Sequence, residues 1–97
     1  MERDYGTCLV VDDDEDILTA AALLLRPLFT HVLTAREPAA ALQLAVERSP
    51  DVVLLDANFA RGATDATEGL LLLRRLLDRD PDLAIVMITA HAGVAVA

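Results

Sequence analysis

Apolar positions fall into two kinds of run along this chain. Short runs at 7–11 ("TCLVV"), 31–35 ("HVLTA"), 51–56 ("DVVLLD") and 83–89 ("LAIVMIT") read as strands. The first, third and fourth are apolar nearly throughout, the mark of strands buried on both faces. Longer segments rich in Ala and Leu lie between them. "EDILTAAALLLRPLF" (15–29) predicts a helix that stops near Pro27, with Asp14 as its N-cap. "EPAAALQLAVERS" (37–49) predicts a second, with Pro38 in its first turn and Ala41, Leu42, Ala45 and Val46 on one face. "EGLLLLRRLLDR" (68–79) predicts a third, weakened at its start by Gly69. Residues 57–67 lack periodicity and read as a loop, and "AHAGVAVA" (90–97) reads as the opening of an element that is not finished.

The order βαβαβαβ implies an α/β domain with a parallel sheet, because parallel neighbours need crossover connections and the helices then cover both faces. Residues 1–97 are one domain, with no linker, repeat or low-complexity segment. In such sheets the functional crevice lies beyond the carboxyl ends of the strands. Asp12 and Asp13 follow the first strand, Asp56 ends the third and Thr89 the fourth. If those strands are neighbours, three anions and a hydroxyl converge, an arrangement that is self-destabilising unless a cation neutralises it. Hard oxygen ligands of this kind suit Mg²⁺.

This reading separates the acidic run Asp12, Asp13, Asp14, Glu15 and Asp16 into two parts. The first two acids hold a metal, and the next three start a helix, where negative charge meets the positive helix end. Asp56 stands apart at its own strand end. A carboxylate beside Mg²⁺ can attack phosphorus and form an aspartyl phosphate, with Thr89 donating a hydrogen bond to the transferred group.

Composition narrows the function classes. Hydrophobic residues make up 55% of the chain and aromatics 3%, so the core is aliphatic. The net charge of −8 argues against nucleic-acid binding by this segment. All eight basic residues are Arg, and there is no Lys. Cys8, the single cysteine, lies in an apolar run and reads as a buried structural thiol. The acidic, polar "MERDYG" start is not a signal peptide, and the longest apolar stretch, 17–29, is broken by Arg26 and Pro27 and too short to span a bilayer. The expectation is a cytoplasmic protein without a membrane segment.

Three segments, "LVVDDDEDIL", "DVVLLDANF" and "IVMITAH", occur in the order and at the separations that mark the receiver domains of two-component response regulators. The chain resembles that family, the family of the chemotaxis regulator, from residue 7 onward. The resemblance implies a flavodoxin-like receiver fold with Asp56 as phosphoryl acceptor and a sensor histidine kinase as donor. It makes Asp13 a direct Mg²⁺ ligand, Asp12 a ligand through a metal-bound water, and the backbone carbonyl of Asn58 a further ligand. Thr89 would contact the phosphoryl group and shift when it arrives, with Ala90 leaving room, and His91 would occupy a position that tunes phosphorylation and hydrolysis rates.

Two departures accompany the resemblance. The loop after the acceptor has Ala60 where the family usually has Pro, and Gly69 comes thirteen residues after Asp56 where about eight are usual, a longer form resembling receivers of certain transcriptional regulators. Asp65 and Glu68 in this stretch read as solvated acids. Family receivers also carry a fifth strand with a Lys that pairs with the acceptor, an aromatic switch position and a final helix. Those features are missing here, so the fold is expected to lack its last strand and helix, as in a truncated receiver. An open edge on "LAIVMIT" then predicts self-association, by edge pairing or by exchange of elements between chains.

The function expected is a phospho-accepting receiver, not an enzyme acting on other substrates beyond catalysing its own phosphorylation and dephosphorylation. The alternative is a phosphorylation-incompetent fragment that serves as an oligomerising interaction module. A phosphatase working through an aspartyl intermediate wants a second Asp two residues after the nucleophile, where Asn58 stands. Nucleotide binding lacks a glycine-rich phosphate loop after the first strand.

Overall fold

A computed structural model describes residues 5–56, 67–89 and 93–96. Eight elements alternate: β1 (Thr7–Val11), α1 (Glu15–Leu25), β2 (His31–Ala35), α2 (Pro38–Arg48), β3 (Val52–Asp56), α3 (Thr67–Arg79), β4 (Ala84–Thr89) and β5 (Gly93–Val96). The sheet order is β2-β1-β3-β4-β5. β1 to β4 run parallel, as the alternation of strands and helices requires, and Leu9 sits between Leu33 and Val53 in register.

Helix boundaries follow local chemistry. Asp14 has extended backbone and accepts a hydrogen bond from the Asp16 N–H at 2.9 Å, so it caps α1 as the sequence implies. Glu15 and Asp16 fill the first turn. The regular helix ends at Leu25, just before Pro27, where the sequence reading has it stop. The Arg26 N–H still bonds to Ala22, but Pro27 has no N–H to offer, and the chain turns so that Leu28 and Phe29 donate to the Leu25 carbonyl. Pro38 starts α2, which stops at Ser49 in the left-handed region (φ 46°) just before Pro50.

Two cores lie on opposite faces of the sheet. One joins Leu9, Val11, Val53, Leu55, Ile85 and Met87 to Ala41 and Ala45 of α2 and Leu72 and Leu76 of α3. The other is smaller, with Cys8, Val10, Leu18 and Phe29 packed by Val32, Val52 and Leu54 under α1. Burial of Cys8 pushes its thiol up to about 11, as fits a structural residue. β1 is buried on both faces, as expected. β3 is not, because Val53 and Leu55 are buried on the α2–α3 side while Val52 and Leu54 are only half-buried on the α1 side.

The end of the chain corrects the sequence reading. Gly93–Val96, within the segment read as the opening of an unfinished element, is an antiparallel strand, which pairs Val96 with Val86 and Gly93 with Thr89. Val94 and Val96 are β-branched and favour extended backbone, and the apolar β4 edge supplies a hydrogen-bonding template. The outer edge of β4, expected to be open, is therefore paired from Val86 to Thr89, and β5 is the outermost strand on that side of the described sheet.

At the opposite end of the sheet, the Asp51 carboxylate accepts from the Thr7 N–H at 2.9 Å, and the Asp51 N–H donates to the Thr7 carbonyl at 2.8 Å. Gly6 has φ +76°, and a Cβ there would run into the Asp51 carboxylate. Gly6→Ala is expected to destabilise the fold by about 1–2 kcal/mol in urea denaturation. In an Asp51→Ala background the added cost of Gly6→Ala should shrink, since the clash is gone. Native Cys8 is expected to resist thiol reagents at pH 8 and to react fully in denaturant, which a labelling time course reads directly.

Candidate metal and phosphoryl site

The carboxyl edge of the sheet brings together side chains far apart in sequence. β1 ends at Val11, and the Asp12 N–H extends the ladder by donating to the Ala35 carbonyl at 3.1 Å. That bond fixes Asp12 as the next residue beyond the strand. Its carboxylate turns back to accept from the Asp14 N–H at 2.9 Å, which orients the following residues into α1. Asp56 is the last residue of β3, and β3 pairs with β1 through Val11 and Leu55. The neighbourhood of β1 and β3 is what places Asp56 beside the acidic pair.

Carboxylate oxygens of Asp12, Asp13 and Asp56 lie within 4.8 Å of one another. Asp12 is buried, and Asp13 and Asp56 are half-buried. Burial raises the Asp12 pKa first of all. The Asp14 N–H opposes that shift, while the charges of Asp56 and Asp13 and a side-chain hydrogen bond with Asp13 add to it. One edge thus gathers oxygen donors with a net repulsion, a donor set that fits a small hard cation completed by water or a phosphoryl oxygen.

The sequence expectation for Asp12, Asp13 and Asp56 is met in position. Thr89 ends β4, next to β3, where Ile88 is the register partner of Asp56. Its side chain lies outside the description, as do Asn58, Ala60, Asp65, Ala90, His91 and the side chain of Glu68. Arg36 was not singled out by the sequence. It follows β2 directly and lines a cavity of about 510 Å³ with Asp13, Glu37 and Ala40. Its place one residue beyond a strand that must pair with β1 is the signal that would have found it.

A raised pKa in the fold means that Asp12 favours folding when protonated. Its contribution is present below the unfolded carboxylate pKa and is lost as pH rises through the folded value. Without divalent cations, Asp12→Asn is therefore expected to stabilise the chain at pH 7 by about 1 kcal/mol, since Asn keeps an acceptor for the Asp14 N–H. The gain should fade in acid, where the parent Asp12 is itself neutral. Paired urea titrations at neutral and acidic pH measure both.

Comparisons with known proteins agree with this architecture. A family model described as "Response regulator receiver domain" matches residues 8–97. The Transcriptional regulatory protein PrrA of Mycobacterium tuberculosis is 34% identical over 86 residues, which are 89% of this chain and 35% of that protein. The chain thus spans about a third of the length of that relative. The N-terminal signal receiver domain of a two-component response regulator from Bacteroides fragilis superposes with a TM-score of 0.80 at 38% identity, covering 92% of this chain and 69% of that one. A response regulator receiver domain protein from Clostridium thermocellum gives 0.76 at 29% identity, covering 90% and 67%. On a match of this breadth, the chain belongs to the response regulator receiver domain family, the signalling receivers of two-component systems.

Proposed function

We propose that this receiver takes a phosphoryl group from a sensor histidine kinase onto Asp56, with Mg²⁺ held at the neighbouring acids. The observation that carries this reading is the convergence of the Asp12, Asp13 and Asp56 carboxylates at one strand edge. Asp13 and Asp56 would bind the ion directly and Asp12 through water. The Asn58 carbonyl, outside the described residues, would be a further ligand. Bound Mg²⁺ supplies positive charge that offsets the phosphoryl oxygens and brings anionic donor and acceptor together.

The chain's own residues do the rest. Asp56 is half-buried at the end of a strand paired on both sides, so its carboxylate is held at the sheet edge rather than on a mobile loop. One Asp56 oxygen attacks phosphorus, a P–O bond forms, the P–N bond of the donor phosphohistidine breaks, and the imidazole leaves carrying a proton. Thr89, which ends the next strand, would donate a hydrogen bond to the new phosphoryl group. The added charge then changes the balance of the carboxyl edge, the kind of local electrostatic event that biases a switch. The competing reading, a binding-only module, draws on the absence of any Lys to pair with the acceptor.

Incubation with Mg²⁺ and acetyl phosphate, followed by intact mass, separates the two. The parent is expected to gain the mass of one phosphoryl group and Asp56→Asn none. Thr89→Ala should accumulate the adduct at least about tenfold more slowly, as loss of one charge-assisted hydrogen bond implies. No gain by the parent, with Mg²⁺ still bound, would favour the binding-only module.

A further inference from the structure

Strand β2 ends on a positive charge beside the acidic edge. Val11 pairs with Ala35, and the Asp12 N–H donates to the Ala35 carbonyl at 3.1 Å, so Arg36 leaves its strand alongside Asp12 and Asp13. From there it opens on two spaces. One is the cavity of about 510 Å³ that it lines with Asp13, Glu37 and Ala40. The other is a groove of about 440 Å³ between α1 and β2, where it meets Glu15, Thr19 and Thr34, with Arg26 toward the other end of the helix.

The acids that face Arg36 are thus Asp13 and Glu37 on one side and Glu15 on the other. Arg36 is exposed, and among the described residues it makes no ion pair. Its guanidinium stands across open space from Asp13, locked on none of these acids. That space is about 10 Å across if taken as a sphere, no more than one Debye length (~10 Å in 0.1 M salt). At that range the field of a cation still acts on a carboxylate and on any ion the carboxylate holds. A guanidinium also stays charged wherever the acids are ionised, so its effect persists across the working pH range.

We propose that Arg36 is a built-in counter-cation of the acidic edge. In the metal-free chain its charge offsets that of Asp13, and it limits Mg²⁺ affinity by repelling the ion that takes over that role. The inference rests on the reading of Asp12, Asp13 and Asp56 as the Mg²⁺ site. Two cations do not neutralise one set of carboxylates additively, because the second arrives at acids already partly compensated and beside a like charge. The groove toward Glu15 offers the Arg36 side chain another resting place once an ion binds, which keeps the cost of its presence modest. The consequence is a site that is less strained when empty and that releases its ion more readily when full.

Calorimetric titration of Mg²⁺ and metal-free urea denaturation test this on the parent, Arg36→Ala and Arg36→Lys. Arg36→Ala is expected to bind Mg²⁺ about threefold more tightly at low salt, with the gap closing as KCl nears ~1 M and the charges are screened. Arg36→Lys should keep the parent's affinity. Without Mg²⁺, Arg36→Ala should lower the urea midpoint. That loss should vanish in an Asp13→Asn background and persist in Glu37→Gln. General damage to the site weakens ion binding, so tighter binding is a readout that a merely structural role would not produce. Arg36→Ala binding Mg²⁺ no more tightly than the parent overturns the proposal. So does metal-free coupling to Glu37 in place of Asp13, which would make Arg36 a partner of the α2 start. A parent that binds no Mg²⁺ sinks the metal-site reading instead. The metal-free coupling to Asp13 then decides the role of Arg36, its presence upholding the counter-charge and its absence overturning it.

Discussion

Everything at the functional edge depends on parallel pairing that holds like charges together. β1 lies between β2 and β3, buried from Cys8 to Val11, and its register with β3 leaves the next residues of one strand and the last residue of the other side by side. Asp12, Asp13 and Asp56 are anions, and left to themselves they would separate. Apolar burial of Leu9, Val11, Val53 and Leu55 keeps them in place. The fold thereby holds like charges together at one edge, a repulsion that the proposed cation would relieve.

The same strands explain why the two faces differ. On one face α2 and α3 close over β1, β3 and β4 with small and long residues alternating, Ala41 and Ala45 against Leu72 and Leu76. On the other, α1 covers β2 and β1, and among the described residues no second helix packs there. On that side Leu54 and Val86 are half-buried and Ile88 is exposed.

Much of this was legible in the residues. Continuous apolar runs and Ala/Leu segments separated at Pro27, Pro38 and Pro50 located the first four strands and three helices, because those prolines act on backbone chemistry that no tertiary contact can override. The strand-end acids pointed to the convergence of Asp12, Asp13 and Asp56, on the condition that their strands be neighbours, which the sheet order meets. Three features were not legible. Residues 93–96 favour extended backbone at Val94 and Val96, but only the β4 edge makes so short a segment a paired strand. The half-exposure of Val52 and Leu54 depends on which helix covers them, which an apolar run does not encode. Arg36 becomes notable only once β2 is known to pair with β1.

The central claim is that the three carboxylates form a cation site whose occupation relieves their repulsion. Isothermal titration of Mg²⁺ into the parent and into Asp13→Asn, with melting temperature followed in parallel, tests it most directly. The account predicts one saturable ion per chain, a rise in melting temperature in the parent, and loss of both in Asp13→Asn. A parent that neither binds Mg²⁺ nor gains stability from it, while folded, would contradict the account.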